Sequence, residues 1–249
     1  GFSENDLNPN NFKNNGRKIV RASNGNLYIV YSKGGKIFSS RSDDRGRNWS
    51  EIFVTPDESD QINPSIAIDS NNSLHIAWQG KIGTSTVYQI RYTKYDGDSF
   101  SGIENFTGSI ERNQEIPIIA VDSQNKIHLV WKSKESHGDR IYYTSKLGSS
   151  WSDIEIVKDY EYSGEINSSI PSFTFSIDKK DNLHFVWSEI IDGFLDSLAT
   201  ELRYKKGIFG DIKVIDFGEN DNFSIAFDSS DNLHLVWMKK WRYCDSDSI

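Results

Sequence analysis

The chain has 249 residues, a formal net charge of −8 and a mean hydropathy of −0.58. The acidic balance leaves no basic stripe to neutralise phosphates, which argues against a nucleic-acid partner, and no apolar run approaches the length that crosses a bilayer as a helix. One cysteine, Cys244, excludes an internal disulfide, a thiolate metal cluster and a redox pair, so no cofactor and no metal is expected.

The chain opens Gly1-Phe2-Ser3-Glu4-Asn5-Asp6-Leu7, without an initiator Met or a signal peptide. It therefore reads as a mature product or as a piece of a longer polypeptide or assembly. From Ala22 onward one hairpin recurs. A worn copy, ASNGNLYIVY, ends at Tyr31; DSNNSLHIAW, DSQNKIHLVW, DKKDNLHFVW and DSSDNLHLVW end at Trp78, Trp131, Trp187 and Trp237. These ends are 47, 53, 56 and 50 residues apart. Strand-like content at a period of about fifty predicts radial or stacked repetition, the radial form being an all-β propeller of four-stranded antiparallel blades.

Within each repeat, strand A is the apolar run before the Asp, such as PSIAID or IPIIAVD, and strand B is the LHIAW-type run. An Asn-, Asp- and Ser-rich turn joins them, suited to unusual backbone geometry. Strand C carries an aromatic in each copy: Phe38, Tyr92, Tyr143, Tyr204 and Tyr243. Strand D opens on Trp49, Phe100, Trp151 and Phe209. The expected blades are 17–55, 62–107, 115–158, 170–216 and 223–249, in one domain over 1–249. The fifth lacks a strand D, and residues 2–8 supply one, with Phe2 standing 47 residues before Trp49. A five-bladed ring closed by its own N-terminal segment is the expectation, because closure removes exposed sheet edges.

Between strands C and D of the first repeat stands Ser42-Asp43-Asp44-Arg45-Gly46-Arg47-Asn48-Trp49. It fits the pattern Ser/Thr-x-Asp-x-Gly-x-x-Trp and resembles the BNR/Asp-box repeats of the sialidase superfamily. The resemblance implies a propeller in which Ser42, Asp44, Gly46 and Trp49 are structural. It implies nothing catalytic by itself. Sialidases of that family clamp a carboxylate with three arginines, the first in an Arg-Ile-Pro motif. Here the corresponding strand starts read Glu115-Ile116-Pro117 and Ser169-Ile170-Pro171, and Arg17 is the nearest substitute. Arg91, Arg140, Arg203 and Arg242 recur with strand C, one per blade, as a structural pattern would.

His75, His128, His184 and His234 share one repeat position, which marks them as architectural, each facing the Asp six residues earlier. Function is sought instead in the loops joining D to A and B to C, which gather on one face of a propeller. The candidate ligand-face residues are Arg17, Glu111, Arg112, Glu115, Tyr160, Glu161, Tyr162, Glu189 and Asp192. Carboxylates among aromatics suit sugar stacking and hydroxyl hydrogen bonds, and paired carboxylates suit glycoside hydrolysis. With no arginine triad visible, the expectation is a non-catalytic propeller binding glycans or cell-surface proteins, or serving as a scaffold. An exo-sialidase is the alternative. Five Asn-x-Ser/Thr sequons, at Asn48, Asn71, Asn105, Asn167 and Asn222, accompany an expected location outside the cell or on its surface.

Overall fold

The computed structural model describes residues 16–56, 60–107, 110–159, 168–191 and 199–240. Every regular element among them is a strand. Blade 1 is β1 (Ile19–Arg21), β2 (Leu27–Lys33), β3 (Lys36–Ser42) and β4 (Ser50–Val54), paired in that order. Blade 2 repeats it with β5 (Gln61–Ile68), β6 (Leu74–Gly80), β7 (Gln89–Tyr95) and β8 (Glu104–Asn105). Blade 3 comprises β9 (Gln114–Val121), β10 (Ile127–Glu135), β11 (Gly138–Leu147) and an outer strand broken into β12 (Ser150–Trp151) and β13 (Glu155–Lys158). Blade 4 comprises β14 (Ser168–Ile177), β15 (Leu183–Ile191), β16 (Ala199–Lys206) and β17 (Ile212–Phe217). Of blade 5 the described part is β18 (Glu219–Phe227) and β19 (Leu233–Lys240). Phe2–Leu7 and Tyr243, on which the expected closure depends, lie outside the described residues.

Pairing within each blade is antiparallel, and the one parallel contact among the described residues, Gly138 with Ser168, joins blade 3 to blade 4. Strand B is the most deeply covered, as a strand packed on both faces must be. All seven residues of β6 are buried, and Trp78, Trp131 and Trp187 are wholly enclosed. Each Trp indole N–H needs a buried acceptor. In blades 2 and 3 a strand A glutamine provides it: Gln61 Oε1 for Trp78 and Gln114 Oε1 for Trp131, both at 2.7 Å. Room for Gln61 comes from Gly80, where a Cβ would stand 1.9 Å from Oε1.

The A–B hairpin repeats a second polar device. His75 bonds Tyr92 OH at 2.8 Å and Asp69 at 3.3 Å; His128 bonds Tyr143 OH at 2.9 Å and Asp122 at 3.0 Å; His184 bonds Tyr204 OH at 2.8 Å and Asp178 at 3.1 Å. The phenol reaches diagonally from strand C, two residues off the directly opposed position. A neutral ring satisfies both ends, with Nε2–H donating to the carboxylate and Nδ1 accepting from the phenol. Burial holds His75 and His128 below the ordinary imidazole value, against the opposing pull of Asp69 and Asp122.

Neighbouring blades are stitched at the same turns. Asn72 accepts the backbone N–H of Ser23 at 2.8 Å and donates its side-chain amide to the Ser23 hydroxyl at 2.9 Å. Asn125 does the same to Ser70, at 2.9 and 2.8 Å. Asp181 holds Ser123 at 2.9 and 2.6 Å, and Asp231 holds the N–H of Lys179 at 3.0 Å. All four gripping residues have left-handed backbones, φ between 61° and 67°, which Asn and Asp tolerate better than other side-chain-bearing residues.

The turn between β3 and β4 has the geometry its sequence calls for. Ser42 Oγ donates to Asp44 Oδ1 and accepts from Gly46 N–H, both at 2.8 Å. Asp44 also accepts from the backbone and side chain of Asn48, which hold its carboxyl below the usual range. Trp49 Nε1 donates to Gly46 O at 3.1 Å, and Gly46 sits at φ 88°, where a Cβ is disfavoured. The aromatics expected to open strand D divide. Trp151 packs edge-on against Phe106 and Tyr92, and Phe100 stacks on Phe53 and Tyr95. Phe209 is 89% exposed, and β17 begins only at Ile212.

Candidate active site

The beginnings of strands A, the ends of strands B and the beginnings of strands C lie on one face, and there a cleft of about 300 Å³ opens between blades 3 and 4. Its walls include Glu115 from the start of β9, Lys132 and Glu135 from the end of β10, Asp139 from the start of β11, and Ser168 and Ser169 from the start of β14. The Gly138–Ser168 parallel contact ties the two blades together at this point.

Lys132 stands at the centre. Its ammonium lies 3.5 Å from Glu115 Oε2, 3.4 Å from Asp139 Oδ2 and 3.3 Å from the carbonyl of Ile170. Asp139 Oδ2 also accepts the Ile170 N–H at 2.9 Å, so this carboxylate is fixed by both blades. Because both carboxylates touch one nitrogen, those two oxygens are at most about 7 Å apart. Asp139 is nearly enclosed, whereas Glu115 is 23% exposed toward the cleft. Glu135 is held by Arg112, Ser133 and Tyr142 at the rim.

The backbone beneath Glu115 is strained. Each of β5, β9 and β18 bulges near its start, and at the corresponding position Asn63, Ile116 and Asn222 have φ of 53°, 57° and 48°. Asn accepts that conformation, whereas a β-branched residue before proline does so only under strain. Ile116 is kept there by burial of its side chain in the core and by its N–H, which donates to Gln79 Oε1 of blade 2 at 2.7 Å. Strain of this kind, about 1–3 kcal/mol, concentrates at functional sites.

The remaining sequence candidates scatter. Arg17 is exposed ahead of β1, and its carbonyl accepts the Ile66 N–H. Glu111 is exposed in the loop before β9, and Arg112 is paired with Glu135. Glu189 is buried, its carboxylate taken by Lys158 at 3.0 Å, Arg203 at 2.9 Å and the indole of Trp187 at 3.2 Å. It stands in for the glutamine that blade 4 lacks, since Ile170 occupies that place. Tyr160, Glu161, Tyr162 and Asp192 lie outside the described residues. The described strand C arginines serve their own blades: Arg91 bonds Asn105 and Gln61, Arg140 bonds Asp159, and Arg203 bonds Glu189 and Glu201, while Arg242 lies outside the described residues. Among the described residues no group of three His, Cys, Asp or Glu side chains converges on a metal-sized site. Lys132 and Asp139 were missed from the sequence. The available signal was a lysine directly after the buried Trp131, where the other repeats carry Gln79, Ser188 and Met238.

No protein-family model and no curated protein matches the sequence. Solved structures do. An α-L-arabinanase of Penicillium chrysogenum matches 86% of this chain and 67% of its own, at 12% identity and a TM-score of 0.59. The GH93 α-L-arabinofuranosidase of Fusarium graminearum matches 89% and 73%, at 10% identity and a TM-score of 0.63. A PL25 ulvan lyase matches 84% and 57%, at 11% identity and a TM-score of 0.56. The chain shares their fold, a β-propeller of four-stranded antiparallel sheets. These matches correct the expectation of a non-catalytic binding or scaffolding propeller, and with it the exo-sialidase alternative. These three proteins are two glycosidases and a polysaccharide lyase, and none of them is a sialidase. The absence of an arginine triad misled the sequence reading because that triad belongs to one chemistry among several that a propeller carries.

Proposed function

We propose that the protein is a carbohydrate-active propeller enzyme, a glycoside hydrolase whose catalytic carboxylates are Glu115 and Asp139 in the cleft between blades 3 and 4. The observation that carries the reading is their common contact with Lys132, which places them in a cleft of ligand size. Glycosidases of the retaining kind hold their carboxyls about 5–5.5 Å apart and inverting ones about 6.5–9.5 Å; the upper bound set by Lys132 fits the first and the short end of the second. Glu115, longer and more exposed, is the proton donor to the leaving oxygen. Asp139, fixed by the Ile170 N–H and Lys132, faces the anomeric carbon as nucleophile or as the base for a water. Arabinose-containing polysaccharides are the first substrates to try, on the strength of the fold shared with arabinan-acting enzymes. A location outside the cell accords with a polymeric substrate and with the sequons at Asn48, Asn71 and Asn105, all exposed. The Ser42–Trp49 turn supports kinship with Asp-box repeat proteins at the level of that turn.

The test is release of reducing ends from arabinan and a panel of other plant and algal polysaccharides. The wild-type chain is expected to act on at least one of them, and a Glu115→Gln, Asp139→Asn double variant on none. Equal rates for the two proteins refute the assignment.

A further inference from the structure

The cleft between blades 3 and 4 has polar groups that its carboxylates do not use. Side chains alternate between the two faces of a strand, so Lys134 of β10 lies on the face of Lys132, which reaches the Ile170 carbonyl of blade 4. Asp139 opposes Lys134 directly across the β10–β11 hairpin, and Gly138 of that hairpin pairs with Ser168 of β14. Lys134, Asp139, Ser168 and Ser169 therefore line one cavity. Ser168 is only 4% exposed, yet its hydroxyl has no hydrogen-bond partner. Buried hydroxyls nearly always have one, so the group that completes this one comes from the cleft.

Charge points to the kind of group. The backbone of Lys134 is fixed by its N–H to the Asn113 carbonyl at 3.0 Å, while its exposed ammonium meets no carboxylate among the described residues. The neighbouring charges cancel. Arg112 pairs with one oxygen of Glu135, and Ser133 donates to the other. Lys132 stands between Glu115 and Asp139. With Glu115 carrying the proton that it donates, Lys132 and Asp139 balance each other. Lys134 is then the uncompensated charge of the wall, a cation in the same cavity as a buried hydroxyl without a partner.

We infer that Lys134 and Ser168 bind an anionic substituent of the substrate, a uronate carboxylate or a sulfate ester, so that the cleft selects acidic over neutral polysaccharides. The inference rests on the reading of Glu115 and Asp139 as a hydrolytic pair and names the substrate class of that site. An ammonium and a hydroxyl give such an anion two charge-assisted hydrogen bonds. A neutral sugar satisfies Ser168 alone and leaves Lys134 in water. Lysine presents a point charge rather than the planar fork that matches a carboxylate, so the wall accepts either anion. Among arabinose-containing polymers it favours those that also carry acidic sugars.

The experiment is calorimetric titration of the full chain carrying Glu115→Gln, which keeps the charge of the protonated acid. Three probes of like length are compared: an oligogalacturonide, a sulfated carrageenan oligosaccharide and a linear arabino-oligosaccharide. An acidic probe is expected to bind at least about tenfold tighter than the neutral one at low salt, with the advantage shrinking as salt rises. Preference for the first probe identifies a carboxylate as the anion, and preference for the second a sulfate. Adding Lys134→Gln is expected to abolish the advantage and to leave neutral binding within about twofold. Adding Ser168→Ala instead is expected to weaken the preferred probe by about three- to tenfold, at unchanged Tm. Preference for the neutral probe, no binding of either acidic probe at millimolar concentration, or an acidic advantage that survives Lys134→Gln overturns the inference. Turnover separates its failure from that of the hydrolase reading. Loss of the acidic preference with Glu115→Gln inactive refutes this inference alone, whereas Glu115→Gln as active as wild type refutes the reading on which it rests.

Discussion

Asp122 is the most informative residue to perturb in the scaffold, because replacing it with alanine and with asparagine has different expected costs. Its Oδ1 accepts the N–H groups of Gln124 and Lys126 at 2.9 and 2.8 Å, and its Oδ2 accepts from His128 Nε2 at 3.0 Å. Asp122→Ala removes all three bonds and leaves the buried imidazole N–H without an acceptor. Two of the lost bonds are near water at the turn and contribute little. The buried one costs most, giving about 3 kcal/mol in all. For a chain of this length that lowers Tm by about 6–12 °C. Asp122→Asn keeps the amide oxygen for the two backbone N–H groups and turns its NH₂ toward His128. The ring then adopts the other tautomer: Nε2 accepts from the introduced amide, and Nδ1–H donates to the Tyr143 hydroxyl, which rotates to accept. The cost falls to about 1 kcal/mol. Thermal unfolding gives the two stabilities, and ¹⁵N shifts of the labelled imidazole identify the tautomer. If Asp122→Asn destabilises as much as Asp122→Ala, or if His128 keeps Nε2–H in that variant, the paired Asp–His–Tyr account is wrong.

Further outcomes follow from the same structure. His75 and His128 are depressed by burial, so the unfolded chain takes up more protons below the free imidazole value of about 6.5; stability is therefore expected to be full above that pH and to fall as pH drops below it, measurable as Tm between about pH 7.5 and 5. At the other extreme, burial raises Tyr92, and Tm should fall as pH rises past the free phenol value of about 10. Glu189→Gln leaves the buried Lys158 and Arg203 without their shared anion and is expected to cost about 3–5 kcal/mol in urea unfolding; a cost below about 1 kcal/mol would show that water reaches the pair. Gln114→Leu removes the acceptor of the Trp131 indole and the partner of Ser133, with an expected cost of about 1–3 kcal/mol and a changed Trp fluorescence.

Much of the scaffold could be read in the sequence because it repeats. The Asp-x5-His spacing sets a turn and an Asp–His contact that recur in four blades, and a five-fold period overrides the ambiguity of any single strand. The aromatic phase was less reliable: Phe209 follows Trp151 by 58 residues where the earlier steps are 51, and it points into solvent. The candidate cleft was only partly legible. Glu115 stood out as a charge beside an Ile-Pro strand start. Its partners did not, because Asp139 and Lys132 come from strands C and B and meet only when the blade folds. Glu189 looked like a loop carboxylate, and only the structure shows that it replaces a missing glutamine under Trp187. The strained peptide at Ile116 has no signal in a single sequence, since Ile-Pro also occurs at Ile170–Pro171.

Single-variant turnover decides whether Glu115 and Asp139 carry the chemistry. Glu115→Gln, Asp139→Asn and Glu135→Gln should be compared with wild type on the polysaccharide that the panel identifies, with Tm measured on each. The first two are expected to lose at least about 10²–10⁴-fold in kcat, at near-wild-type Tm for Glu115→Gln, and Glu135→Gln to turn over within a few-fold of wild type. Undiminished turnover in folded Glu115→Gln or Asp139→Asn would place the catalytic groups elsewhere on the propeller face.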